Sequence, residues 1–103
     1  MARPCKFRKV RGRPDAVYFK PRAIPLSLLE EVALTFDEVE SLRLADLEGR
    51  YQEEGAALMG ISRQTFGNIL ESARKKVADA LVNSKALRIE GGQITIMKDE
   101  ISN

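Results

Sequence analysis

Arg63, Gln64, Thr65, Asn68 and Glu71 fall in one short stretch directly after Gly60-Ile61-Ser62. A guanidinium fork, two amides, a hydroxyl and a carboxylate form directional, often paired hydrogen bonds. Gln64 and Asn68 are four residues apart, so a helix puts them on one face. Such amides match the edge of adenine in a bidentate way, and a guanidinium matches guanine. Covalent chemistry has far less to work with. The chain has no histidine and a single cysteine, Cys5. The usual general base and the usual metal ligand are therefore missing, and no internal disulfide can form. The acids sit where helix caps and solvated faces account for them. No catalytic residue, metal or cofactor is expected, and Cys5 reads as an incidental thiol.

The neighbouring elements must position these side chains. Two helices that cross through a very short turn need a glycine there, and Gly60 fits. Their close contact needs a small residue in the first helix of the pair, here Ala56. Apolar residues must wedge between them, here Met59, Ile61, Phe66 and Ile69. These offsets fit a helix-turn-helix, whose second helix enters the major groove of DNA by its N-terminal end. With its apolar stripe of Phe66, Ile69, Leu70, Ala73, Val77 and Leu81 turned inward, that helix points Gln64 and Asn68 outward. The candidate base contacts are Arg63, Gln64, Thr65, Gly67, Asn68 and Glu71. Gly67 would bring backbone near the DNA or serve packing. The candidate phosphate contacts are Ser62, Arg74, Lys75 and Lys76. Capping is the main role expected of Ser62, and a solvated basic face is the plainer reading of the other three.

The remaining elements follow from local signals. Thr35-Phe36-Asp37-Glu38 is a capping box that starts a helix running to about Glu48, where Gly49 stops it. That helix is expected to bury some of Phe36, Val39, Leu42, Leu44 and Leu47. A short helix or turn covers 25–31. Glu53 to Met59 forms a second helix, and a third runs from the Ser62 cap to Asn83-Ser84. Leu87 and Ile89 alternate with polar residues, as do Ile94 and Ile96. Gly91-Gly92 between them predicts a two-residue turn and a β-hairpin with all four apolar side chains on one face. Prolines 4, 14, 21 and 25 exclude a long helix from the start of the chain, with Ala16-Val17-Tyr18-Phe19 as the apolar patch that could form a strand or anchor it. The organisation expected is a basic extended arm over 1–25, a helix-turn-helix domain over 26–83, a C-terminal β-hairpin over 84–97 and a polar tail over 98–103. The fold class is mainly α.

Net charge is +2, yet its distribution is uneven. Residues 1–22 carry eight Lys/Arg and one acid, and residues 23–60 carry two and nine. A basic arm beside an acidic middle suits a molecule with one face for an anion. Within the arm, Arg11-Gly12-Arg13-Pro14 resembles the core of an AT-hook, making Arg11 and Arg13 candidates for the minor groove. A basic tail with only non-specific attraction is the competing reading. No secretory signal and no apolar run of spanning length occur, so a cytoplasmic protein without a membrane partner is expected.

From Leu34 to Leu81 the chain resembles region 4 of the sigma-70 class. The shared features are Leu34-Thr35, Glu38, Leu42-Arg43-Leu44, Glu53-Glu54, Ala56, Met59-Gly60-Ile61-Ser62-Arg63, Thr65, Leu70, Ala73-Arg74-Lys75-Lys76 and Ala80-Leu81. Gly55 departs from it, standing where alanine is usual, and Asn68 stands where a basic residue is common. The whole chain resembles uncharacterised protein family 0251, small prokaryotic proteins with such a helix-turn-helix. That likeness lies in the Arg-Pro-rich start, Tyr18-Phe19-Lys20-Pro21, Ile24-Pro25-Leu26 and Lys85-Ala86-Leu87-Arg88-Ile89-Glu90-Gly91-Gly92. The resemblance implies binding of double-stranded DNA, and transcription regulation is the expected role. A homodimer is expected, with Leu87, Ile89, Ile94 and Ile96 of the hairpin at or near its interface and the end of the third helix, near Val77, Leu81 and Val82, able to contribute. The competing reading is intramolecular, with the hairpin folded back on its own first helix or lying beside the third as a wing on the DNA. The alternative is a protein-interaction module that presents the acidic 23–60 region to RNA polymerase or another protein.

Overall fold

The computed structural model describes residues 7–96. Cys5 and the tail over 98–103 lie outside the described residues, as do Arg3, Lys6 and Met97. The elements are β1 (Arg8–Val10), β2 (Tyr18–Phe19), a 3-10 turn (Leu26–Leu28), β3 (Glu31–Leu34), α1 (Phe36–Leu42), a π-helical turn (Arg43–Leu47), α2 (Gln52–Met59), α3 (Arg63–Val82), β4 (Ala86–Ile89) and β5 (Ile94–Ile96). The fold is thus mixed, with three helices framed by short strands, where the sequence suggested a mainly α chain.

Local signals place the helices. The Thr35 hydroxyl accepts from the Glu38 amide, and the Glu38 carboxylate accepts from the Thr35 amide at 2.9 Å. This reciprocal pair satisfies two amides that no helical carbonyl reaches. The last turn of the first helix widens, with the Glu48 amide donating to the Arg43 carbonyl at 2.9 Å, and the chain leaves it at Gly49. Ser62 caps α3, accepting from the Thr65 amide at 3.1 Å. The 20-residue α3 then runs uninterrupted to Val82.

Two apolar clusters hold the helices together. Leu44, Ala56, Met59, Phe66 and Leu70 join the first helix, α2 and α3. Leu34, Ala73 and Ile89 join β3, α3 and β4, with Phe36, Val39, Leu42 and Val77 packed around them. Each large side chain buried there stabilises the fold by about 1.5–3 kcal/mol. Leu81 does not join, contrary to the expected stripe of the third helix, being 76% exposed, and Leu47 of the first helix is left out at 81%. On α3 the line through Phe66, Leu70, Ala73 and Val77 continues to Ala80, and Leu81 is turned about 100° from Ala80.

The strands overturn the expected hairpin. β4 and β5 do not pair with each other. β4 is the centre of a three-stranded sheet, antiparallel to β2 and parallel to β3, with Leu87 opposite both Phe19 and Val32. β5 pairs in parallel with β1, Ile94 opposite Arg8 and Ile96 opposite Val10. The glycines adopt the positive φ expected of them, +76° and +103°, for another purpose. They carry the chain over the start of α1, where the Gly91 carbonyl accepts from the Phe36 amide at 3.0 Å. A side chain at Gly92 would come within 2.8 Å of the Asp37 carboxylate. Ile89 is buried while Leu87, Ile94 and Ile96 are half-buried, so the four share no exposed face. The described part of the arm is likewise woven into the fold: β1 and β2 pair in sheets, and Val10 is buried.

Candidate nucleic-acid interface

The turn between α2 and α3 is set by its own residues. Gly60 lies in the left-handed region at φ +70°, and its amide reaches the Ala57 carbonyl at 3.1 Å. The Ile61 amide donates to the Ala56 carbonyl at 3.0 Å, closing the end of α2. The Ser62 hydroxyl both caps α3 and donates to Thr65 Oγ1 at 2.9 Å. Ser62 and Thr65 therefore spend hydrogen-bonding capacity on each other.

Gly55 has a steric reason. A Cβ there would lie 2.5–2.6 Å from two atoms of the Phe66 ring, which is fully buried. The missing methyl lets the ring of α3 rest on the backbone of α2. This explains the departure from alanine, whose intrinsic advantage in a helix is ~1 kcal/mol.

Beyond that contact, Arg63, Gln64 and Asn68 are exposed and line one open concavity of about 470 Å³ with Gly67 and Gln52. Glu71 is exposed and Thr65 half-buried. Gln52 did not stand out in the sequence. Its side-chain oxygen lies 3.3 Å from where a Cβ of Gly67 would be, so the glycine gives α2 a place beside α3. Only the packing of the two helices reveals that pairing.

The basic run further along α3 is divided. Arg74 forks onto Asp46, at 2.6 and 3.1 Å, and Lys76 reaches Glu38 at 2.8 Å. Lys75 is exposed without an ion pair among the described residues. Glu38 is 6% exposed and also accepts from the Ser72 hydroxyl at 2.6 Å. Burial pushes its carboxyl upward. The hydrogen bonds from Lys76, Ser72 and the Thr35 amide outweigh this, and the carboxyl lies below its usual value. Asp46 is held down by the Arg74 hydrogen bond. Arg74 and Lys76 thus tie α3 to the first helix, which the sequence run did not show.

The segment with the AT-hook-like core is folded onto the first helix. The Arg11 amide donates to Glu40 at 2.9 Å, and its guanidinium lies 4.0 Å from Glu48. Arg13 stands over the Phe36 ring at 5.3 Å, a cation–π distance. Arg43 forks onto Glu40 and also meets Glu48. The Arg43 hydrogen bond to Glu40 leads the causes that raise its pKa. Arg11 and Arg13 are exposed but docked, rather than extended away from the domain.

The arrangement defines a small domain whose α2–turn–α3 unit presents polar side chains outward, free of the ion pairs behind it. Comparison with known proteins places it further. Residues 1–97 match the family described as "Protein of unknown function DUF134", and the chain belongs to that family. Similar proteins include UPF0251 protein TTE1845 of Caldanaerobacter subterraneus subsp. tengcongensis, 55% identical over 98% of this chain and 86% of the relative. A UPF0251 protein of Thermoanaerobacter sp. (strain X514) is 54% identical over 97% and 88%. One from Desulfosudis oleivorans is 59% identical over 89% and 67%. The family is the one the sequence resemblance indicated. No solved structure matches the chain. Among the described residues no helix is long and apolar enough to cross a membrane.

Proposed function

We propose that the chain binds double-stranded DNA, with α2 and α3 acting as a sigma-70 region 4-like helix-turn-helix and α3 entering the major groove. The observation that carries this reading is the start of α3. Arg63, Gln64 and Asn68 stand exposed around one concavity beyond a left-handed glycine and a serine cap. Amides and a guanidinium there suit base edges, and regulation of transcription is the role this serves. The test is titration of mixed-sequence duplex DNA across about 50 to 200 mM salt, where phosphate contacts predict an affinity loss of about tenfold or more. Absence of binding at low salt would reject the reading.

A single such unit reads few base pairs, so a two-fold pair is proposed with it. The hairpin is gone as an interface. The exposed end of α3 remains, with Leu81 and Val82 76% and 78% exposed. Sedimentation at tens of micromolar should give a dimer that Leu81→Lys dissociates, and a monomeric wild type rejects it.

The protein-interaction reading keeps one observation in its favour. Leu47 and Tyr51 are exposed beside the acids Asp46 and Glu48. Such a surface fits RNA polymerase or another protein partner, and binding that ignores DNA and follows Leu47→Ala would support it.

A further inference from the structure

We infer that Lys9, which β1 carries to the turn between α2 and α3, is a phosphate contact of the DNA surface, an inference that rests on the DNA-binding reading. The cations of the domain differ in how open they are to a new anion. Arg43, Arg50, Arg74, Lys76, Lys85 and Arg88 each meet an acid of the same chain within hydrogen-bonding distance. A cation already neutralised gains less from a phosphate, and its contact releases fewer counterions net. Lys9 is exposed and has no ion pair among the described residues. Arg63, at the other side of the turn, is in the same state.

Position adds to charge. The Lys9 stem lies across Gly60, its Cδ and Cε each 3.6 Å from where a Cβ of that glycine would stand. Nζ is one bond beyond Cε, so the ammonium is held beside the turn that precedes Ser62 and Arg63. The backbone beneath it is fixed, with Lys9 opposite Thr95 in the β1–β5 pair and Val10 buried next to it. The backbone part of the ordering cost is therefore met by the fold, and only the side chain remains to be ordered when DNA arrives. In the sequence Lys9 is one of eight cations in the first 22 residues and nothing sets it apart. The parallel pairing of β1 with β5 selects it.

The experiment is a fluorescence-anisotropy titration of wild type, Lys9→Gln, Lys9→Arg and Arg88→Gln, with two unrelated duplexes, over a salt series. Lys9→Gln should flatten the slope of log affinity against log salt by about 0.9 on both duplexes. Lys9→Arg should keep the wild-type slope, and so should Arg88→Gln, whose cation is already paired with Glu31. A wild-type slope in Lys9→Gln, with wild type itself binding, overturns the assignment and leaves the DNA reading standing. A flattened slope in Lys9→Arg, or an equal loss in Arg88→Gln, also counts against it. Wild type that binds neither duplex at low salt overturns both. Because the Lys9 side chain is exposed, all Lys9 variants should unfold at the wild-type temperature, which separates a lost contact from a lost fold.

Discussion

The two halves of α3 use similar residues for opposite ends. Near its start, Arg63, Gln64 and Asn68 face solvent without an acid partner among the described residues. Two turns on, Arg74 is taken by Asp46 and Lys76 by Glu38. One half offers hydrogen-bonding groups to something outside, and the other fastens the helix to the domain. A run of basic residues is therefore a poor measure of the charge available to a ligand. What counts is which acids the fold brings alongside.

The largest expected effect breaks the fastened half. Glu38→Ala removes one arm of the capping box and strips Ser72 and Lys76 of their acceptor. Loss of stability of about 2–4 kcal/mol is expected in urea unfolding, below the full cost of a buried pair because Lys76 is one-third exposed. A loss under about 0.5 kcal/mol would mean that the network does not hold α3 to the first helix. The same network sets a pH dependence. The Glu38 carboxyl is depressed in the folded state, so its contribution is present above the unfolded value of about 4.3 and is lost as pH falls through the folded value. Melting temperature should fall as pH drops below about 5, and Glu38→Gln should make that fall shallower. Asp46, Glu48 and Asp79 are also depressed, so some acid sensitivity remains in the variant.

A somewhat smaller effect belongs to the contact that supports the outward half. Gly55→Ala gains helix propensity yet drives a methyl into the Phe66 ring. Net destabilisation of about 1–3 kcal/mol is expected, as for other overpacked cores. In a double-mutant cycle with Phe66→Leu the alanine should cost less than in the wild-type background. An alanine that stabilises both backgrounds would show that the ring has room to move.

Much of the helical part was legible because its signals are local. The Thr35 box, the Gly60 turn, the Ser62 cap and the apolar spacing of α3 each lie within a few residues. The sheets were not legible. Leu87 and Ile89 alternate as a strand should, but alternation does not name a partner, and the partners of β4 lie far back in the chain at 18–19 and 31–34. Gly91-Gly92 imposed positive φ as expected, which a hairpin and a crossing over α1 satisfy equally. At the candidate site, Gln64 and Asn68 followed from helical geometry alone. The pairing of Arg74 and Lys76, the place of Gln52 and the place of Lys9 all depend on contacts between distant segments.

The smallest effect expected on stability comes with the largest expected on recognition. Arg63→Ala with Gln64→Ala changes two exposed side chains and should shift unfolding by no more than about 0.5 kcal/mol. Selection of bound duplexes from a randomised pool, run in parallel with the wild type and this double variant, tests base reading by α3 directly. If the start of α3 reads base edges, the wild type enriches a defined sequence and the folded variant binds the pool without enriching it. A variant that enriches the same sequence in the same rank order would place base reading elsewhere on the molecule. A wild type that enriches nothing would contradict the claim that α3 reads DNA.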